Sequence, residues 1–379
     1  MKLEGLRVLD LSSFLPGPYL TLALADHGAE VIKIEAPGGD PGRGIGLQQE
    51  GHTVFFRNLN RGKRSVCLDL KTEEGRAQLL ALCDTADVFV ESFRPGVVQR
   101  LGFGEATLRE RNPRLVYCSI SAFGQRGDYA SRPAHDLAVE AMSGALSLST
   151  DADGRPAMPA IPAADVLAGL HGLSGVLMAL LRREKTGRGD YLDIAMLDSM
   201  MGACLNVLGP TFAEGRQPVP AHERTSGGSA FYRVYATRDG RYLSLAGQEE
   251  KFVHALLRDL GRDDLAALVL SGPGPHQAPV VAFLQSAFAG RTLAEWEVHL
   301  ATLDVCFGAV RTLPEAYADP HVRDRGMLLR DEHGLQHVGS PIHFADEPSR
   351  PILKPPFLGE HQGLLAPGAN TASSSKGNP

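Results

Sequence analysis

The sequence is poor in most of the features that would commit it to a special class. It has one tryptophan and 6% aromatic residues in a chain of 379, and its net charge is −6. A chain that binds a phosphate backbone as its main partner carries a positive field, so nucleic acid is not expected. The five cysteines, Cys67, Cys83, Cys118, Cys204 and Cys306, are odd in number, widely spaced and without a CxxC pair. This pattern argues against a disulfide framework or a zinc cage and reads as buried thiols in a reducing cytoplasm. The opening MKLEGLRVLDLSS lacks the charged head, apolar stretch and cleavage site of a secretory leader. The most apolar run, Val166 to Leu181, is interrupted by Gly169, His171, Gly172 and Gly175. It falls short of the ~20 residues that cross a bilayer and reads as a buried helix. Two nucleotide fingerprints are missing as well. The first strand-to-helix turn is SFLPGPY, not G-x-G-x-x-G, and no P-loop occurs, so fold analogy cannot supply NAD or ATP.

What is there is a balance of 43% apolar and 22% charged residues, that of a globular chain. The length fits two or three domains of roughly 150 residues each. Apolar runs at 6–11, 30–35, 65–70, 86–92 and 114–121 read as strands. Helical patterns at Tyr19 to His27 and Thr72 to Cys83 alternate with them, which predicts an α/β domain with a mostly parallel sheet. Further helices are expected at about 135–147, 163–184 and 197–208, with a strand at 191–196. After a Gly/Pro-rich break, FYRVYATRDGRYLSLAG reads as a hairpin turning at Asp239-Gly240. Helices at about 250–260, 278–288 and 293–301 complete a smaller α+β domain. The expected boundaries are 1–215 for the first part of the large domain, 225–325 for the small one, 326–365 for a return segment and 366–379 for a disordered tail.

Several polar residues stand out, each with a plainer explanation beside it. Arg61, Lys63, Arg64 and Lys71 surround one strand, and Arg94 and Arg100 follow the next. Loops beyond the carboxyl ends of successive parallel strands can converge on one polyanion, although a solvated basic face gives the same pattern. His135-Asp136 follows a glycine-containing loop, where a lone histidine is more often structural. Asp165 opens a long apolar helix, where a helix cap would account for it. The Gly169, Gly172, Gly175 series suits close helix packing, and Glu249 could be a surface acid.

Taken together, GLRVLDLSSFLPGP, LADHGAEVIKIEAPGGD, NRGKRSVCLDLK, ESFRPGVVQRLG, PAHDL, ADVLAG and EKTGRGDYLDIAMLDS resemble the family III CoA transferases and the related α-methylacyl-CoA racemases, the CaiB/BaiF-like family. The resemblance covers nearly the whole chain. It implies a Rossmann-like large domain built from both chain ends, a smaller domain between them, and an interlocked cytoplasmic homodimer that acts on acyl-CoA. It implies no membrane partner and no metal or cofactor beyond the CoA of the substrate. By position, Phe14, Leu15, Leu70, Lys71, Ser92, Phe93, Arg94 and Arg100 would meet CoA. Transferases of the family use one aspartate as nucleophile, and Asp165 holds that place. Racemases add a histidine supported by a glutamate of the small domain, places held here by His135 and Glu249, and Asp136 beside the histidine is expected to help orient or support it. Racemisation of a 2-methylacyl-CoA through an enolate is therefore expected, with backbone amides at a helix start or in the glycine-containing loop holding the enolate oxygen. CoA transfer through an aspartyl intermediate is the alternative, and a non-catalytic CoA-binding protein a third.

Overall fold

The computed structural model describes residues 1–151 and 153–366. The tail expected to be disordered lies outside them, apart from Ala366. The chain divides into two compact units, residues 1–143, 160–201 and 317 onward, and residues 144–159 and 202–316. Segments 144–159 and 202–215, assigned by sequence to the large domain, thus group with the second unit. The return begins at 317 rather than 326. One crossing falls at Gly144, whose φ of 87° ends the preceding helix in a conformation that glycine alone adopts cheaply.

The first unit is built on six parallel strands: β1 Arg7–Asp10, β2 Glu30–Glu35, β3 Arg64–Cys67, β4 Val88–Glu91, β5 Val116–Ser121 and β6 Tyr191–Ala195. Their spatial order is β3-β2-β1-β4-β5-β6. Succession reverses between β1 and β4, which makes that crevice the switch point of a doubly wound sheet. Both faces are covered, so the strand centres are apolar, while charged residues such as Asp10, Glu35 and Glu91 stand at the carboxyl ends and Lys33 is buried within β2. Side chains alternate between two cores. Val8, Val88, Val90, Val116 and Cys118 face one with Leu20 and Val176. Leu9, Phe89 and Tyr117 face the other with Leu79 and Leu108.

Helix α1 (Pro16–Asp26) follows β1, α2 (Glu73–Cys83) follows β3, and α3 (Asp136–Ser143) and α4 (Ala163–Thr186) follow β5. Thr72 caps α2 by accepting from the Gly75 amide. The glycine stripe of α4 is used for packing. A Cβ on Gly169 would lie 2.7 Å from the Pro16 carbonyl oxygen, and one on Gly172 2.6 Å from Leu20. The start of α4 is thereby set hard against the turn that leaves β1. With 24 residues, α4 is long and apolar enough to cross a membrane by length and composition, longer than the run judged from sequence. Here Ala168, Leu173 and Val176 on its inner face belong to the core. The chain's far end returns to the sheet, where the His361 amide donates to Ser65 O at 2.8 Å.

The second unit contains a three-stranded antiparallel sheet, β7 Arg233–Ala236, β8 Tyr242–Leu245 and β9 Phe307–Ala309 in the order β9-β8-β7. Gly240, at φ 72°, turns the hairpin where the sequence places it. Helices α5 Glu250–Asp259, α6 Ala278–Phe288 and α7 Leu293–Leu300 bury Val253, Leu284 and Trp296 against this sheet. Cys83 and Cys118 are buried, but Cys67 and Cys204 are only half-buried and Cys306 is exposed. The expectation of buried thiols is corrected to that extent, Cys306 lying on a loop ahead of β9.

Candidate active site

At the carboxyl end of β1 the backbone turns sharply, and the turn is held from below. The Asp10 carboxylate, fully buried, accepts from the Ser12 amide at 3.0 Å, Thr21 Oγ1 at 2.6 Å and Lys63 Nζ at 3.0 Å. Lys33 Nζ donates to the Ser12 carbonyl at 2.9 Å and pairs with Asp40 at 2.7 Å. The Ser13 amide then crosses the switch point to donate to Ser92 Oγ at 3.0 Å. Between these anchors Phe14 sits at φ 64°, a left-handed conformation that a bulky residue adopts only when its surroundings impose it. After β4 the Phe93 amide donates to Glu91 Oε2 at 2.8 Å. Burial pushes the Glu91 carboxyl up to about 7.

These two loops form one wall of a cavity of about 490 Å³ beyond the strand ends. Phe14, Ser92, Phe93, Arg94, His135 and Asp165 all line it, with Ile120, Arg132 and Met196. The His135 and Phe14 rings meet edge to face, centroids 5.7 Å apart. The site therefore occupies the crevice where doubly wound sheets bind ligands. Six of the residues singled out in the sequence share it.

The first turn of α4 is capped from outside. Its flanking residue, Pro162, offers no side-chain acceptor. Instead the Ala163 amide donates to Glu140 Oε1 at 3.0 Å and the Asp165 amide to Asp136 Oδ1 at 3.1 Å. Asp165 is thus not the cap of its own helix. Burial, and after it the neighbouring Asp136 carboxylate, push its carboxyl up to about 7. A carboxyl poised there can give or take a proton at neutral pH.

Other expected residues fall elsewhere. Leu15 flanks the start of α1, and Leu70 packs partly buried on the second core of the sheet. Lys71 is exposed after β3, where its carbonyl accepts from Arg76 Nη1 at 2.8 Å. Arg100 lines a separate hollow of about 400 Å³ with Arg76, Gln99 and Phe103. Glu249 is exposed in the second unit, flanking the start of α5. Asp136 bonds the Asp165 amide, where a supporting contact to His135 was expected.

Two further expectations are corrected. Of the basic cluster, Arg61 is buried in an ion pair with Asp26, Lys63 with Asp10, and Arg64 pairs with Glu30 at the sheet edge. Arg61 and Lys63 are thereby committed inside the fold and Arg64 to Glu30 on the neighbouring strand, each having met a carboxylate distant in sequence as the chain folded. Amides at a helix start were expected as donors to an enolate oxygen, but at the start of α4 the Ala163 and Asp165 amides are taken by the α3 carboxylates. Glu140 was missed altogether. It lies four residues after Asp136, the spacing that puts two side chains on one helix face.

The chain belongs to CoA-transferase family III, which it matches over residues 3–362. It is 34% identical to the succinyl-CoA:mesaconate CoA-transferase of Haloarcula hispanica, over 96% of this chain and 95% of that one. It is 33% identical to the alpha-methylacyl-CoA racemase of Homo sapiens, over 95% of this chain and 91% of that one. A crystal structure of a CaiB/BaiF family protein from Brucella suis superposes with a TM-score of 0.83 at 32% identity, covering 96% and 99% of the two chains.

Proposed function

We propose that the protein inverts the α-carbon of an acyl-CoA thioester by moving a proton through an enolate. The observation that carries this reading is that His135 and Asp165 line one cavity, with the Asp165 carboxyl pushed up to about 7. For one stereoisomer, neutral His135 removes the α-proton and the protonated Asp165 carboxyl returns one to the opposite face of the planar enolate. That leaves the imidazolium and the carboxylate, the pair of states the other stereoisomer needs. Ser92, Phe93, Arg94 and Phe14 would seat the thioester end of CoA, with Leu15, Leu70, Lys71 and Arg100 in contact further along it. Glu249 takes the supporting role that the racemase resemblance gives it. The substrate brings the only coenzyme the reading requires.

The reading includes a cytoplasmic homodimer. Leu170, Leu177, Met178 and Leu181 form a stripe on the outer face of α4, with Met178 at 66% and Leu181 at 70% exposure. An apolar face of this kind suits a second copy of the chain.

The second reading keeps Asp165 as a nucleophile, supported by its place in the cavity and by the transferase named above. Its carboxylate would attack the thioester carbon and expel CoA thiolate, leaving an acyl-aspartyl anhydride. The thiolate would then take the aspartyl carbonyl and release the first acid, and the same two steps in reverse would load a second acid.

The test is deuterium uptake at the α-carbon of 2-methylacyl-CoA in deuterated buffer with no second acid present. Uptake is expected from the protein, with a loss of about a hundredfold or more in His135→Ala. Full uptake by that variant would remove His135 from the mechanism. Transfer of labelled CoA between acids without any uptake would select the second reading.

A further inference from the structure

The start of α4 brings together three carboxyl groups. Glu140 is 3% exposed, and its Oε1 takes the Ala163 amide. Asp136, one turn earlier on α3, takes the Asp165 amide. The Glu140 and Asp136 carboxyls are hydrogen-bonded to each other, and burial, followed by Asp136, raises the Glu140 carboxyl above its ordinary range. Two carboxyl groups can bond in this way only if one carries the proton, and the raised group is Glu140. It therefore donates to the Asp136 carboxylate while also accepting from the first amide of the helix.

A helix start favours the ionised form of a carboxyl in its first turn, through unsatisfied amides and the helix dipole. Left alone, Asp165 in that turn would be driven toward the carboxylate. Here two carboxyl groups from another helix occupy those amides, and one of them sets a negative charge beside Asp165.

We propose that Glu140 is a positioning residue for Asp165: by bonding both the first amide of α4 and Asp136, it holds the carboxyl pair that diverts the helix start from ionising Asp165. This deepens the proton-transfer reading and rests on it for its catalytic meaning. The ionisable groups about Asp165 are Asp136 and Glu140 from α3, His135 just ahead of that helix, and Arg94 and Arg132 from the loops lining the cavity. In Glu140→Leu both bonds are lost, Asp136 is released from its anchor, and the Ala163 amide is freed. In Glu140→Gln the amide oxygen still accepts from Ala163 and the amide nitrogen still donates to Asp136.

The experiment is a carbon-13 carboxyl NMR titration of the full chain labelled at aspartate, with the Asp165 signal assigned by its disappearance in Asp165→Asn. The pH profile of deuterium uptake is measured on the same variants. In Glu140→Leu the Asp165 midpoint is expected to fall by about one pH unit, and the uptake profile to move with it. Glu140→Gln is expected to titrate as the parent does. An unchanged midpoint in Glu140→Leu, or a Glu140→Gln midpoint that has fallen as far as the leucine variant's, would overturn the proposal. If Glu140→Leu does not fold, the Glu140→Gln midpoint decides alone. The titration does not depend on turnover. An absence of uptake in the parent protein would therefore count against the proposed function and leave the positioning of Asp165 to be read from the midpoints.

Discussion

Asp10 and Asp165 lie in the same unit, one at the carboxyl end of β1 and the other in the first turn of α4. Their surroundings drive them in opposite directions. Burial opposes ionisation of Asp10, but Lys63, Lys33 and the Ser12 and Thr21 hydroxyls overcome it and hold the carboxyl well below the usual range. Burial pulls Lys63 down to about 8 against the attraction of Asp10, so the pair is ionised at neutral pH. Asp165 has no lysine or arginine in an ion pair with it among the described residues. Its nearest charged influence is Asp136, another acid, and its carboxyl rises to about 7. Compensated charge braces the turn that carries Phe14. Uncompensated charge leaves a proton available.

Neutralising each aspartate in turn is the sharpest way to break that comparison. Asp10→Asn leaves Lys63 buried without its ion-pair partner and takes a second negative charge from near Lys33, which keeps Asp40, and should cost about 3–5 kcal/mol. The contribution of Asp10 is present above the ordinary carboxylate value and lost as pH falls below it, so the deficit should shrink in acid. Asp165→Asn should have the reverse sign. A carboxyl raised in the folded state weakens the fold as pH climbs from the ordinary 3.8 through about 7. The asparagine variant should therefore melt a few degrees above the parent at pH 8, match it near pH 4, and lose deuterium uptake. Thermal unfolding at both pH values checks the two signs together. Destabilisation by Asp165→Asn at pH 8 would mean that the carboxylate is compensated after all.

Much of the fold was legible because it rests on short-range pattern. The alternation of Val8 with Leu9 and of Val88 with Phe89 gives strand faces, and the helix expected at 278–288 is found there. Segment 202–215 was misplaced because helical periodicity carries no information on which sheet a helix joins. The cavity was half legible. His135, Asp165 and the loop after β4, all singled out in the sequence, line one cavity. The roles of Arg61, Lys63 and Arg64 were not legible, because their partners Asp26, Asp10 and Glu30 lie 34 to 53 residues away in sequence and meet them only once the sheet forms. The reassignment of Asp136 from His135 to the Asp165 amide has the same cause: it depends on where the next helix begins.

The basic residues allow a finer version of the same comparison, with smaller effects. Arg94 lines the cavity, whereas Arg64 is committed to Glu30 at the sheet edge, and both are exposed enough to replace without opening a hole. The residue pattern set both among the basic side chains that could meet a polyanion, and only the family resemblance singled out Arg94. If the cavity seats the phosphate-bearing substrate, Arg94→Ala should raise KM for acyl-CoA about tenfold with a smaller change in kcat, the loss of one charge-assisted hydrogen bond. Arg64→Ala should leave KM unchanged and cost less than about 1 kcal/mol of stability, since a half-exposed ion pair contributes little. Steady-state kinetics of the two variants at equal ionic strength measures the contrast. Equal rises in KM would return Arg64 to the ligand and imply that its pairing with Glu30 opens when CoA arrives. A rise confined to Arg94 would fix the anion beyond β4, on the same side of the switch point as the serine that anchors the Phe14 turn.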